Sequence, residues 1–125
     1  MADIRRLHST HDLEALLAES ERRPVLLLKH STQCPVSAWA HREFQKYVAG
    51  LSPAEATAAM VRVIEERPVS QEAAARLGVT HQSPQVILIR GGRAVWHASH
   101  YEASETAIQA ARAELDGGAP SGQGS

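Results

Sequence analysis

One cysteine, Cys34, in a chain of 125 residues leaves no second thiol for an internal disulfide. Any disulfide chemistry must therefore pass between molecules. The net charge is −1 with histidines neutral, so no basic field argues for nucleic acid. No apolar stretch approaches the roughly 20 residues of a membrane span. The opening Met1-Ala2-Asp3-Ile4-Arg5-Arg6 has no apolar segment after its charges and does not read as a signal peptide. A reducing cytoplasm is the expected location, with neither nucleic acid nor membrane as partner. There is no internal repeat and no second domain. Residues 117–125, rich in Gly and Ser, lack the apolar content to fold and are expected to be a disordered tail. Residues 1–116 then form one domain of ordinary size.

What is present falls into alternating elements. Ser9 or Thr10 can cap a helix running through Ser20, with Leu13, Leu16 and Leu17 on one face. Val25 to Lys29 reads as a strand covered on both faces, because it opens with the consecutive apolar residues Val25 to Leu28. Ser37 to Ala49 has helical spacing and Gly50 as terminator. Ser52-Pro53-Ala54-Glu55 carries a capping-box pattern that can open a short helical turn. A strand over Met60–Ile64, near the sheet edge, a helix over Ser70–Leu77 ended by Gly78, and a strand over Val86–Ile89 follow. Gly91-Gly92 predicts a two-residue hairpin into Ala94–Trp96. An amphipathic helix over Glu102–Leu115 closes the domain. Because a strand–helix–strand unit takes a parallel, right-handed crossover, the expected architecture is α/β: a mixed four-stranded sheet with helices on both faces. That layout is thioredoxin-like.

Cys34 lies between the first strand and the following helix, in Ser31-Thr32-Gln33-Cys34-Pro35-Val36-Ser37. Backbone N–H groups and the helix dipole favour negative charge there, and the thiolate is the reactive form of cysteine. The chain thus reads as a monothiol redox enzyme with Cys34 as its catalytic residue. The competing reading is a small buried hydrophobe. Two-cysteine thioredoxins carry a resolving thiol where this chain has Ser37. A hydroxyl cannot resolve a mixed disulfide, but it can donate a hydrogen bond to a thiolate one turn away or cap the helix. Thr32 and Gln33 join Ser37 as thiol-stabilising candidates. Pro84, at the opening of a buried strand, has few tolerated settings. In thioredoxin-like folds the corresponding proline is cis and faces the nucleophile, and the residue before it offers backbone groups to an extended thiol ligand. Ser83 and Pro84 are therefore the substrate-binding candidates, joined by an expected cis peptide. One cysteine with scattered histidines does not make a structural zinc site, and no metal is expected. His30 reads as a strand-end residue or a cation near the thiol, Trp39 and Phe44 as core, and Lys29 and Arg42 as solvated charges or sources of positive potential. His97 and His100 fall near the ligand groove of related folds.

Lys29-His30-Ser31-Thr32-Gln33-Cys34-Pro35-Val36-Ser37 resembles the active-site segment of the monothiol bacilliredoxins. The similarity continues in Val63-Ile64-Glu65-Glu66-Arg67-Pro68-Val69-Ser70, in Leu77-Gly78-Val79-Thr80-His81-Gln82-Ser83-Pro84-Gln85-Val86 and in Ala98-Ser99-His100, over roughly residues 4–115. The resemblance implies removal of bacillithiol, a small bacterial thiol used in place of glutathione, from S-bacillithiolated proteins. Cys34 would take over the bacillithiol, and a second bacillithiol or a separate reductase would regenerate it. No bound cofactor is implied; bacillithiol is the redox co-substrate. Glutathione-using glutaredoxins typically carry a glycine pair after the last strand, where this chain has His97-Ala98-Ser99-His100. Two other readings share the lone thiol: iron–sulfur cluster binding in the manner of monothiol glutaredoxins, and a non-catalytic thioredoxin-like interaction module.

Overall fold

The computed structural model describes residues 3–117. The elements are β1 (Ile4–Arg6), α1 (Thr10–Glu19), β2 (Val25–His30), α2 (Pro35–Ala49), β3 (Thr57–Arg62), α3 (Arg67–Leu77), β4 (Gln85–Arg90), β5 (Arg93–Ser99) and α4 (Glu105–Asp116). A 3₁₀ turn, His100–Glu102, lies between the last two. The sheet has the order β1-β3-β2-β4-β5. β1 and β2 both run parallel to β3, while β4 is antiparallel to β2 and β5 to β4. Of the expected tail, all but Gly117, the C-cap of α4, lies outside the described residues.

Every residue of β2 is buried. Leu26 and Leu28 face a core shared with Phe44 of α2 and Ile108 of α4. Val25 and Leu27 face the opposite core, with Leu13 and Leu16 of α1 and Val69 and Ala73 of α3. A strand covered on both faces must be apolar at successive positions, and the Val-Leu-Leu-Leu run meets that requirement. Local chemistry ends the flanking elements as the sequence leads one to expect. Ser9 accepts from Asp12 N at the start of α1. Gly78 stops α3 with φ 66°, and Gly91 and Gly92, both at positive φ, turn the β4–β5 hairpin.

The sheet has five strands, not four. The extra one, β1, is a three-residue edge strand containing two arginines, too short to show a period. β3 begins at Thr57 and ends at Arg62, so Val63 and Ile64 fall outside it. Ala58 and Ala59 give little strand signal alone, yet they are buried on opposite faces and held in register with Leu26 and Leu27. α3 starts at Arg67, ahead of Ser70, because the carbonyl of Glu66 accepts from Val69 and Ser70, and Pro68 fits a first turn that needs no N–H from it. Ser52 N does donate to Glu55 Oε1 at 2.7 Å, and Ser52 Oγ accepts from Ala54 N at 3.2 Å, but these bonds close a turn with no helix behind it. α4 waits until Glu105, with Ser104 as its N-cap accepting from Ala107 N.

Lys29 breaks the apolar pattern of β2. It is 0% exposed, paired in register with Val61 and Gln85. Its ammonium can only donate, and Nζ reaches Nδ1 of His81 at 2.8 Å. Burial pulls its pKa from 10.5 down to about 8. The unfolded chain keeps this proton up to the ordinary lysine range, so between pH 8 and 10.5 the unfolded state binds more protons and stability rises with pH; below pH 8 the full cost is present. Urea unfolding of wild type and Lys29→Met across that range should show the wild type gaining on the variant by at most about 3.5 kcal/mol, at about 1.4 kcal/mol per pKa unit. A gap that does not change with pH would mean that Lys29 is not a buried ammonium.

Candidate active site

The register of the central strands builds the site. β2 and β4 end their pairing with Lys29 opposite Gln85. The loop that follows β2 and the segment that precedes β4 therefore leave the sheet at the same end. The first carries Cys34, and the second carries Ser83–Pro84, whose peptide bond is cis as expected. β5 adds its own end there: Ser99 pairs with Gln85, and His100 N donates to the Pro84 carbonyl at 3.0 Å. His100 has φ 55°, a left-handed conformation unfavourable to a residue with a Cβ.

Cys34 is a half-buried free thiol. It occupies the N-cap position of α2 with an extended backbone, and its side chain makes no capping bond. Pro35 has no N–H to lose, and the first helical bond is Ala38 N to the Cys34 carbonyl at 3.0 Å. The N–H groups of the first turn thus open at the residue that carries the sulfur. The Cys34 N–H itself turns back to the Ser31 carbonyl at 3.4 Å.

Ser37 is not the cap; it lies inside the first turn and is fully buried. Its Oγ accepts from Ser31 N at 2.8 Å and sits 2.9 Å from Nδ1 of His30. Thr32, exposed, gives its hydroxyl to Glu65 at 3.1 Å. Gln33 is also exposed, and its N–H reaches Ser31 Oγ at 3.4 Å. Ser83 Oγ is buried with no hydrogen-bond partner among the described residues, and Pro84 is buried beside it in the chain. The structure thus gathers Thr32, Gln33, Cys34, Ser37, Ser83 and Pro84 at one end of the sheet.

Three relationships were not read from the sequence. His30 is a buried partner of Ser37, not a bare strand end. The signal was available: strand alternation puts His30 on the same face as Leu26 and Leu28, toward α2. The ring of His41 stands 4.7 Å from that of His30, centroid to centroid. Burial depresses the pKa of both, and His41 and Arg6 push that of His30 further down, against the backbone of Ser37 and the charge of Glu65. Lys29 is not solvated; it is buried and reaches His81, an exposed residue three positions ahead of Pro84. Burial, then the Lys29 charge, lowers the pKa of His81. Phe44 is core, and Trp39, half-buried, packs against the same core and on Tyr101 at 5.2 Å between ring centroids. Tyr101 is largely exposed, and Arg42 and His97 are exposed. Among the described residues no helix is long and apolar enough to cross a membrane, and no group of three His, Cys, Asp or Glu is placed to hold a metal ion.

Known structures share this fold. One described as having a thioredoxin fold is 29% identical, with a TM-score of 0.76 over 86% of this chain and 92% of its own. The thioredoxin of Malassezia sympodialis is 15% identical, with a TM-score of 0.74 over 91% of each chain. That of Fasciola hepatica is 22% identical, with a TM-score of 0.69 over 89% of this chain and 98% of its own. These last two likenesses concern the fold alone. Residues 5–108, nearly the whole described domain, match the family described as monothiol bacilliredoxin BrxC, and the chain, with its single thiol at the N-cap of α2, belongs to that family.

Proposed function

We propose that this protein is a monothiol thiol–disulfide oxidoreductase that removes bacillithiol from S-bacillithiolated proteins. The observation that carries the reading is a half-buried single thiol at the head of α2, with a buried hydroxyl in place of a resolving thiol three residues on. The membership of the chain in the bacilliredoxin family supports the choice of bacillithiol.

In the first step the Cys34 thiolate attacks the bacillithiol sulfur of the mixed disulfide. The Cys34–bacillithiol bond forms, the old S–S bond breaks, and the target cysteine leaves as a thiolate. In the second step a free bacillithiol thiolate attacks the adduct on Cys34. Bacillithiol disulfide departs and Cys34 is restored; a separate reductase can take this role. No internal second step is open, because Ser37 has no sulfur. The open N–H groups at the head of α2 support the thiolate, and the Ser37 hydroxyl, bonded to Ser31 N and His30 Nδ1, stabilises the turn beneath it. Thr32, through Glu65, and Gln33, through Ser31, hold the turn that presents it. Ser83 and Pro84 form the facing wall for the substrate, where Ser83 offers its backbone groups and Pro84 is joined to it by a cis peptide bond. The exchange belongs to the reducing interior of a cell, where thiols persist.

The direct test incubates reduced protein with a model protein carrying an S-bacillithiol adduct and follows both partners by intact mass. The adduct should leave the model protein and appear on wild type, but not on Cys34→Ser. If nothing moves although Cys34 alkylates readily, bacillithiol is the wrong substrate. The facing wall makes a separate prediction: Pro84→Ala should lower kcat/KM for bacillithiol transfer, with iodoacetamide alkylation of Cys34 unaltered. An unchanged kcat/KM would remove Pro84 from the binding wall.

A further inference from the structure

We propose that Lys29 and His81 are a positioning pair: their hydrogen bond docks the segment leading into Pro84 onto the sheet while His81 is neutral, and releases it when His81 takes up a proton. The inference rests on the reading of Pro84 as the wall that faces the substrate and goes beyond it to what holds that wall in place.

Between the end of α3 at Leu77 and the start of β4 at Gln85 the chain has no regular structure. Val79 N donates to the Ala74 carbonyl at 3.2 Å, Gln85 Nε2 to the Thr80 carbonyl at 3.2 Å, and His100 N to the Pro84 carbonyl at 3.0 Å. The fourth hold is Lys29 Nζ on His81 Nδ1 at 2.8 Å. The first three join amide groups and do not titrate. The fourth can be switched by a proton.

The direction of that bond is fixed by chemistry. A lysine ammonium has three hydrogens and no lone pair, so Nδ1 of His81 must accept, and the ring carries its hydrogen on Nε2. Lys29 is fully buried, and its register partners Val61 and Gln85 bring no charge. A buried ammonium is ordinarily met by a carboxylate. Here an uncharged acceptor takes that place, and no carboxylate is among the groups that act on either side chain. The Lys29 charge is thus hydrogen-bonded but not cancelled. A solvent proton arriving on Nδ1 removes the acceptor and sets an imidazolium against an ammonium. The charged groups facing His81 are Lys29 of β2 and Arg67 of α3, and both oppose its protonation.

Lys29 cannot retreat, because it stands on a strand buried along its whole length. His81 is exposed and lies in the irregular stretch, so it is the member that moves. Segments held by few bonds open at low cost, and this one runs directly into Pro84. Lys29 loses its own proton at about 8, but the amine keeps two hydrogens to donate, so alkaline pH leaves the bond in place. The switch works on the acid side: the segment is docked above the pKa of His81, which is held below its ordinary value, and released as pH falls through it. By linkage, removing the Lys29 charge must ease protonation of His81.

The first test is imidazole ¹⁵N NMR on the full-length reduced protein, which needs no bacillithiol. His81 should carry its hydrogen on Nε2 at pH 7, and should titrate at lower pH in wild type than in Lys29→Met. Below that titration the His100 and Val79 amides should exchange faster in wild type than in His81→Asn at the same pH, because an asparagine Oδ1 can accept from Lys29 but takes no proton. The second test divides kcat/KM for bacillithiol transfer by the iodoacetamide rate, which removes the ionisation of Cys34 itself. In wild type this ratio should fall about tenfold through the His81 titration, with the loss in KM and not in kcat, the worth of a hydrogen bond to a charged group. It should stay level in His81→Asn and be low at every pH in His81→Leu. A hydrogen on Nδ1 at pH 7, a titration unmoved by Lys29→Met, or a ratio as level in wild type as in His81→Asn would each overturn the proposal. Absence of bacillithiol transfer with the tautomer and exchange responses intact would strike the substrate assignment and leave the pair standing.

Discussion

The burial of β2 between two helical layers is the constraint on which the rest depends. Its side chains alternate between faces, so a strand covered on both must be apolar at every position, and Val25 to Leu28 comply. The two polar residues at its end, Lys29 and His30, then point into opposite layers. Neither can stay unpaired at that depth. Lys29 is met by His81 from the segment leading to Pro84, and His30 by Ser37 from the first turn of α2. One strand therefore ties down both the segment that carries the thiol and the one that faces it. The precision of the site comes from the need to satisfy two buried polar side chains on a rigid element.

Ser37 shows how one substitution of sulfur by oxygen rearranges a familiar site. A second thiol would close a disulfide and end the cycle within the chain. The hydroxyl ends that route and takes up a hydrogen-bonding role. It satisfies the Ser31 N–H and pairs with His30, and so fixes the turn on which Cys34 sits. Burial disfavours protonation of both His30 and His41, Arg6 acts on each in the same direction, and His41 acts further on His30. Around them, His100 is held in a left-handed conformation by its bond to the Pro84 carbonyl. Strain of that kind persists where surrounding contacts over-determine it.

Much of this was legible in the chain. Continuous apolar residues marked β2, Gly78 and the Gly91–Gly92 pair marked an end and a turn, and the position of Cys34 before a helix marked the thiol. The Ser83–Pro84 cis peptide was reachable once the layout was recognised. The misses share a cause. β1, the early start of β3 at Ala58 and Ala59, and the first turn of α3 draw their stability from neighbours and not from their own residues. A three-residue strand carries no period, and alanine has little preference that partners cannot override.

The sequence by itself determined the monothiol character, since no arrangement of one cysteine yields an internal disulfide. It also determined the order of elements around the thiol, because periodicity and turn residues are local. Only the tertiary structure decided what surrounds the sulfur. Ser37 looked like a cap or a donor, His30 like a strand end and Lys29 like a surface charge. Each role was settled by which layer the side chain enters and which partner waits there. Those partners lie 7 residues away for His30 and 52 for Lys29, and long-range pairing depends on the register of the assembled sheet, which no local pattern encodes.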